Sequence, residues 1–522
     1  MVQKFAAVAG RATTFRRLSR AVLALYALAL SAPFAAPAQT VDWDRIDAGI
    51  EALLADWTTP GVAVAVVQND SIVFARGYGV RTLGEPGPVG PETRFAVASN
   101  TKAFTAVLLA QLQEEGKLSV DDRVIDHLPE FRMHDPWITQ EIQIQDLLTH
   151  RSGLPTFGGD HLWIGQDLPR DEVVRRIRWL EPAGAFRASF HYQNLMYLVA
   201  GQVAAAAAGQ NWDALMQERI LGPLGMTGSS TTLAALAGIE DVASAHETVG
   251  GELMPVEYDD VRGVAPAAAL NSNVLDMAQW MRANLNGGEV DGTRIFSERA
   301  ARAMQSVQYP LGVSPWAEAN LGQRFSGYGF GWFIGEYRGR KVVTHSGGLT
   351  GMISLQTLLP EEGIGVVVLT NYAPSAPTRA ITYTILDALL GEPERDWNSV
   401  YRGIVEQGEE RTARTEAELQ ASRIPDTTPS LDLEAYTGSY EDELSGPAEV
   451  RMEGGQLVFD YNPRHLGDLE HWNHDVFRVH WRHPIFDMEP MTFLQFSLGQ
   501  DGAVESLMVK FYDPIKFERA AL

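Results

Sequence analysis

The stretch Arg94-Phe95-Ala96-Val97-Ala98-Ser99-Asn100-Thr101-Lys102, running on through Ala-Phe-Thr-Ala-Val-Leu-Leu109, decides how this chain is read. An apolar approach gives way at Thr101 to a helical pattern that lasts to about Gly116, a glycine suited to cap it. Ser99 and Lys102 are three residues apart, so their side chains share one helical face. A serine is a weak nucleophile until a base stands beside it. A lysine can be that base when burial or a neighbouring charge lowers its proton affinity. The start of a helix also offers unpaired N–H groups to a developing oxyanion. With 25 serines and 6 lysines in 522 residues, chance alone yields about 0.3 such pairs. The pair therefore needs company.

Two further segments supply it. Tyr192-Gln193-Asn194 is the one Y-x-N in the chain, at the entry to a small-residue helix that begins near Asn194. A tyrosine beside a lysine loses part of its proton affinity to the cation and can relay protons. The asparagine amide can orient a substrate carbonyl or hold the lysine. His345-Ser346-Gly347 closes the strand-like run Lys341–Thr344, where a strand edge can lend backbone N–H groups and Gly347-Gly348 permits close approach. His465-Leu466-Gly467 has the same H-x-G form, but no strand-like run leads into it.

The flanks set the fold class. A helical pattern covers Val41 to about Ala55, and Gly61–Val67 with Ser71–Ala75 read as paired strands. Strand patterns return at Gly327–Glu336, Lys341–His345 and Gly363–Thr370. Strands at both ends with helices between predict an α/β unit over 42–393 whose terminal segments share one sheet. Residues 394–430 read as a charged helix and linker, broken by Pro425-Asp-Thr-Thr-Pro429. Residues 431–522 read as a small all-β barrel, with segments such as Ala448–Met452, Gln456–Tyr461 and Val476–Trp481.

Composition narrows the classes. The chain carries 42 basic and 66 acidic residues, a net charge of −24, with 45% hydrophobic residues and no cysteine. Disorder, fibrous folds, disulfides and thiolate zinc sites are excluded. No basic patch suits a nucleic acid. The exception is residues 1–40, where Lys4, Arg11, Arg16, Arg17 and Arg20 precede an apolar run ending near Ala36-Pro37-Ala38. That layout predicts a signal peptide over 1–38 and secretion across the inner membrane into the periplasm, with no membrane span left in the mature chain. Its removal takes the charge from −24 to −29. Five histidines (His465, His471, His474, His480, His483) lie in the β part. Trp472, Phe477 and Trp481 interleave with them, so they read as strand residues and no metal site is expected.

The order S-x-x-K, Y-x-N, H-x-G, together with Asp146-Leu-Leu-Thr-His150-Arg-Ser-Gly-Leu-Pro155 and Pro223-Leu-Gly-Met226, resembles the serine β-lactamase and penicillin-binding-protein superfamily. The likeness is to its class C-like branch (peptidase S12-type) over residues 42–393. The resemblance implies an antiparallel sheet flanked by helices, plus an all-helical lobe. It implies Ser99 as acylated nucleophile, Lys102 as its base partner, Tyr192 as proton relay and Asn194 as substrate contact. It also implies an oxyanion hole from the backbone N–H groups of Ser99 and Gly348. No metal or organic cofactor is implied. His345, followed by Gly347, stands where many relatives carry the lysine of K-T-G. Relatives with H-x-G are commonly peptidases, amidases or esterases, so a small peptide, D-residues included, is the expected substrate. An esterase, a D-alanyl-D-alanine carboxypeptidase or β-lactamase, and a non-turnover penicillin-binding-like receptor are the alternatives. Leu433-Glu-Ala-Tyr436-Thr-Gly-Ser-Tyr440 and Phe517 with Arg519 resemble the lipocalin-like barrel appended to some H-x-G peptidases. In such relatives the barrel shapes the active-site mouth and helps assembly, which implies a homo-oligomer. Asn271-Ser272-Asn273 is read as structural.

Overall fold

The chain was analysed as a computed structural model, which describes residues 41–488, 491–511 and 513–520; the signal-peptide expectation lies outside them. The strands of the main body are β1 (Gly61–Gln68), β2 (Ser71–Gly79), β3 (Tyr309–Leu311), β4 (Ser326–Tyr328), β5 (Phe333–Tyr337), β6 (Arg340–Leu349), β7 (Met352–Leu359) and β8 (Ile364–Thr370). They form one sheet in the order β2-β1-β8-β7-β6-β5-β4-β3. β1 runs antiparallel to β8, from Val62 opposite Thr370 to Gln68 opposite Ile364, so the two ends of this unit do share a sheet.

Both faces of that sheet are covered, which is why β1 and β8 are apolar throughout instead of alternating with polar residues. Val62, Val64 and Val66 pack with Ile46, Ile50 and Leu54 of α1 (Trp43–Asp56) and with Ile381 and Ile385 of α5 (Ala376–Leu390). The smaller Ala63 and Ala65 face the opposite side, in the core that holds α2 (Thr101–Glu114), α3 (Asn194–Ala208) and α4 (Val274–Leu285). Small residues on that face let α4 pack closely on β1 and β8.

The predicted strand Gly327–Glu336 is two strands, β4 and β5. The break falls at Gly331, which takes a left-handed φ of +79°, and a Cβ there would meet Ala103 Cα at 2.6 Å. The chain bends to lay backbone against the start of α2. The charged helix is α6 (Trp397–Ala421), which buries only Trp397 and Tyr401 and leaves its remaining length largely solvated.

Strands β9 (Gly438–Asp442), β10 (Gly446–Glu453), β11 (Gln456–Asn462), β12 (His465–Asn473), β13 (Val476–Trp481), β14 (Thr492–Leu498), β15 (Val504–Lys510) and β16 (Pro514–Arg519) close into a barrel. Closure comes from β9 on β16, Tyr440 opposite Arg519, which removes the open edges a small sheet would otherwise expose. Tyr436, Tyr440, Phe459, Phe477, Phe496 and Phe517 fill its interior. His465 does have a strand leading in, β11, and itself opens β12; it sits among Trp481, Phe486 and Phe511, away from any serine–lysine pair.

The barrel is seated on the main body through polar contacts. Arg464, in the turn after β11, pairs with Asp259. Asn462 Nδ2 donates to Ile164 O at 3.2 Å, and Arg176 Nη1 donates to Leu444 O at 3.1 Å. Among the described residues no helix is long and apolar enough to cross a membrane.

Candidate active site

Ser99 stands in a short helical turn, Ala98–Asn100, that feeds directly into α2. Ala98 takes a left-handed φ of +47°, a costly conformation for a residue with a Cβ. Surrounding bonds hold it there. Val97 N–H donates to Leu270 O at 2.9 Å, and Thr101 Oγ1 donates back to Ala98 O at 2.6 Å. Asn100 Nδ2 donates to Ser354 Oγ at 2.7 Å, Gln356 Nε2 donates to Asn100 Oδ1 at 2.6 Å, and Ser354 Oγ donates to Val97 O at 2.7 Å. The nucleophile's turn is thus bolted to β7 by side chains that the sequence motifs did not single out.

Lys102 is fully buried, yet it meets three polar partners. Its Nζ lies 3.0 Å from Ser99 Oγ, 2.7 Å from Asn194 Oδ1 and 3.1 Å from Ala267 O. Burial pushes its ammonium down to about 7, and the nearby Asp160 carboxylate opposes that fall. A neutral amine has two hydrogens and one lone pair. The Asn194 and Ala267 oxygens can only accept, so they take the two hydrogens, and the lone pair is left for the Ser99 hydroxyl. The expected one-face geometry of Ser99 and Lys102 is met.

Tyr192 presents its ring to Lys102, with Nζ 4.7 Å from the centroid. Its behaviour differs from expectation. A lysine cation is expected to acidify the phenol; burial instead holds its proton affinity well above the ordinary value, with the Ser99 side chain pulling the other way. Desolvation of the buried phenol decides its proton affinity, not the neighbouring lysine. Tyr192 therefore stays a phenol, suited to giving a proton. Asn194, at the first turn of α3, accepts from Lys102 and donates through Nδ2 to Asp160 Oδ2 at 2.7 Å.

His345 is more strongly neutral than its residue type alone suggests, because burial pushes it down to about 3. Nδ1 lies 2.6 Å from Ser346 O, an acceptor, so Nδ1 carries the proton. Nε2 then accepts from the Tyr328 hydroxyl at 3.2 Å. This histidine offers no cation to a substrate carboxylate.

The register explains the glycine two residues on. β5 pairs with β6 only from Arg340 to Thr344, so the edge from His345 to Leu349 is left to face the Ser99 turn. At Gly347 a Cβ would lie 2.1 Å from Val97 O and 2.9 Å from Ser99 N. Only glycine lets β6 approach that closely. Gly348, next along, lines the cleft with Ser99.

The cleft has a volume of about 520 Å³. Ser99, Tyr192, Asn194, His345 and Gly348 meet in it, joined by Asp160, Trp163 and Phe333 of the main body and by Arg464 and Phe486 of the barrel segment. Trp179 packs under Arg175 and Arg178. Asn271-Ser272-Asn273 is structural: Ser272 Oγ contacts Ser229 Oγ at 2.8 Å, and Asn273 caps α4 by accepting from Asp276 N at 2.9 Å. Among the described residues no three His, Asp or Glu side chains are placed to hold a metal ion. The barrel histidines have other partners, His471 with His474 O and His480 with Glu470.

Asp160 escaped the sequence analysis. It sits 34 residues from Asn194 in a loop where His150, Phe157 and Gly159 take left-handed φ values, and no spacing rule links such positions. The carboxylate is buried, and its proton affinity is pushed up to about 7 by desolvation, against the nearby Trp163 indole, the hydrogen bond from Asn194 and the charge of Lys102.

Comparison with known proteins agrees with this geometry. The family profile described as Beta-lactamase matches residues 46–390, and that described as Domain of unknown function (DUF3471) matches residues 422–519. The unguisins hydrolase ungD of Aspergillus violaceofuscus is 29% identical over 433 residues, which cover 76% of this chain and 74% of that one. The protein flp of Staphylococcus aureus is 27% identical over 333 residues, 63% of this chain and 62% of its own. Among solved structures, the octameric penicillin-binding protein homologue from Pyrococcus abyssi superimposes with a TM-score of 0.62 at 23% identity, covering 91% of this chain and 100% of that one. That last likeness is one of fold. With about two thirds of its length matched by the family profile, the chain belongs to the Beta-lactamase family of serine hydrolases and penicillin-binding proteins.

Proposed function

We propose that this protein is an exported serine hydrolase that cleaves amide bonds of small peptides, D-residue-containing ones included, through an acyl-enzyme on Ser99. The observation that carries the reading is the buried Lys102 amine, 3.0 Å from Ser99 Oγ with both its other partners acceptors. In this mechanism Lys102 takes the Ser99 proton as Oγ attacks the substrate carbonyl. The N–H groups of Ser99 and Gly348 receive the oxyanion. Tyr192 gives its proton to the departing nitrogen, then helps water to attack the ester in the second half-reaction. Asn194 and His345 wall the substrate, and Gly347 lets the strand close on it. Residues 42–393 form the hydrolase unit, residues 394–430 the connection and residues 431–522 the accessory barrel.

An amine is a poor leaving group and needs a proton, whereas an activated ester does not. A phenol kept protonated beside Ser99 therefore favours amides over esters. The neutral His345 argues against a required free carboxylate on the substrate. A relative named as an unguisins hydrolase supports hydrolysis over silent binding. Export rests on the charge and apolar pattern of residues 1–38. Homo-oligomeric assembly draws support from the octameric structural relative.

The test is a paired turnover assay on the full chain and Ser99→Ala. One arm offers short peptides with L- and D-residues at each end; the other offers p-nitrophenyl esters and nitrocefin. Ser99-dependent peptide cleavage is expected. Ester-only turnover would replace the amide reading with an esterase, and a stable adduct without turnover would replace it with a receptor.

A further inference from the structure

We infer that Asp160 is a positioning residue of this site: it holds the Asn194 amide in the one orientation that points oxygen at Lys102. The inference rests on the reading of Lys102 as the base. It adds a residue that touches neither Ser99 nor the lysine amine.

The argument is one of hydrogen-bond bookkeeping along a chain of four groups. Asn194 Nδ2 is 2.7 Å from Asp160 Oδ2, and Asn194 Oδ1 is 2.7 Å from Lys102 Nζ. Above about pH 7, where Asp160 is ionised, its carboxylate has no hydrogen to give, so the amide must turn its NH₂ toward Asp160 and its oxygen toward the lysine. Turned the other way, the amide would present N–H to the lysine lone pair and compete with the Ser99 hydroxyl for it. The two other contacts on Nζ, Ser99 Oγ and Ala267 O, bear on the lysine and not on the way the Asn194 amide is turned. The groups facing Asp160 are Asn194 from α3, Lys102 from α2, the Tyr192 phenol, the Trp163 indole from its own loop, and Asp513 from the segment between β15 and β16. Asp160 is 3% exposed and forms part of the cleft wall beside Asn194.

Three variants separate orientation from mere support, each measured for single-turnover acylation at a pH well above 7, with circular dichroism and melting as fold controls. Asp160→Ala removes the acceptor, and acylation should fall by about ten-fold or more, part of the 10²–10⁴ that a well-placed base supplies. Asp160→Asn still accepts the Asn194 N–H through its own carbonyl, so its loss should be several-fold smaller. It lacks the charge that raises Lys102, so the acidic limb of its kcat/KM profile should move to lower pH, which a purely structural residue would not cause. The third variant is Asp160→Ala combined with Asn194→Asp. A carboxylate at 194 shows oxygen to Lys102 whichever way it turns, so this pair should recover acylation relative to Asp160→Ala alone. Acylation by Asp160→Ala at the parent rate, or a double variant no faster than the single one, would overturn the inference. Retained turnover in Ser99→Ala, run alongside, would instead overturn the reading on which it rests.

Discussion

Replacing Gly347 by alanine tests the site through its tightest contact. The new methyl would lie 2.1 Å from Val97 O and 2.9 Å from Ser99 N. An unstrained carbon–oxygen contact is about 3.3 Å, so the two segments must part by about 1.2 Å. Neither side yields easily. Gly347 is held in the ladder opposite Ser354, and Val97 is tied by its N–H to Leu270 O and by its carbonyl to Ser354 Oγ. Overpacking of this kind costs about 1–3 kcal/mol of stability. A displacement near 1 Å between a nucleophile and its oxyanion donors costs about 10²-fold in rate. Gly347→Ala should therefore fold with a lowered melting temperature and lose about two orders of magnitude in kcat/KM. At Gly348 the added methyl meets only Ile353 Cδ1, at 3.2 Å, so Gly348→Ala should lose much less. The assay is kcat/KM on the best peptide substrate with thermal melting beside it. A Gly347→Ala enzyme with parental kcat/KM and stability would refute the reasoning, since the strand edge could not then be packed against the Ser99 turn.

Three further outcomes follow from the same geometry. Lys102 acts as a base only when neutral, and burial lowers its ammonium to about 7; kcat/KM should be full above that value and fall as pH drops through it, and a limb near the ordinary lysine range above 10 would contradict the assignment. Tyr192→Phe keeps the ring against Lys102 and removes the proton donor, so amide cleavage should fall by about 10²-fold and activated-ester cleavage by far less; equal losses on both substrates would contradict the relay. Arg464→Ala leaves the mostly buried Asp259 carboxylate without its cation, which should cost about 3–5 kcal/mol at the barrel seat and raise KM more than it lowers kcat; unchanged KM and unchanged protease sensitivity of the barrel would show that the seat does not shape the cleft.

What could be read from the sequence was local. Ser99 with Lys102, and the helix starting at Asn194, are matters of spacing and capping, and the structure places all three side chains within one hydrogen-bonded cluster. The pairing of the first and last strands followed from apolar runs at both ends of the unit. What could not be read was anything set by the path of a loop or by burial. Asp160 reaches Asn194 only because the loop from His150 to Gly159 turns through left-handed positions. The polar bolts Asn100, Ser354 and Gln356 join residues more than 250 positions apart. The break between β4 and β5 depends on Gly331 meeting Ala103, a tertiary contact that strand propensity does not register. The proton affinities of Tyr192 and His345 went further from ordinary than composition suggests, because both are governed by desolvation.

The most direct test of the central claim is to trap the covalent intermediate. The full chain is mixed with a slowly deacylating activated ester or β-lactam, quenched in acid and mapped by peptide mass spectrometry. One acyl group on Ser99, absent from Ser99→Ala and formed much more slowly in Lys102→Ala, is the predicted result. An adduct on another residue, or turnover that survives Ser99→Ala, would contradict the account.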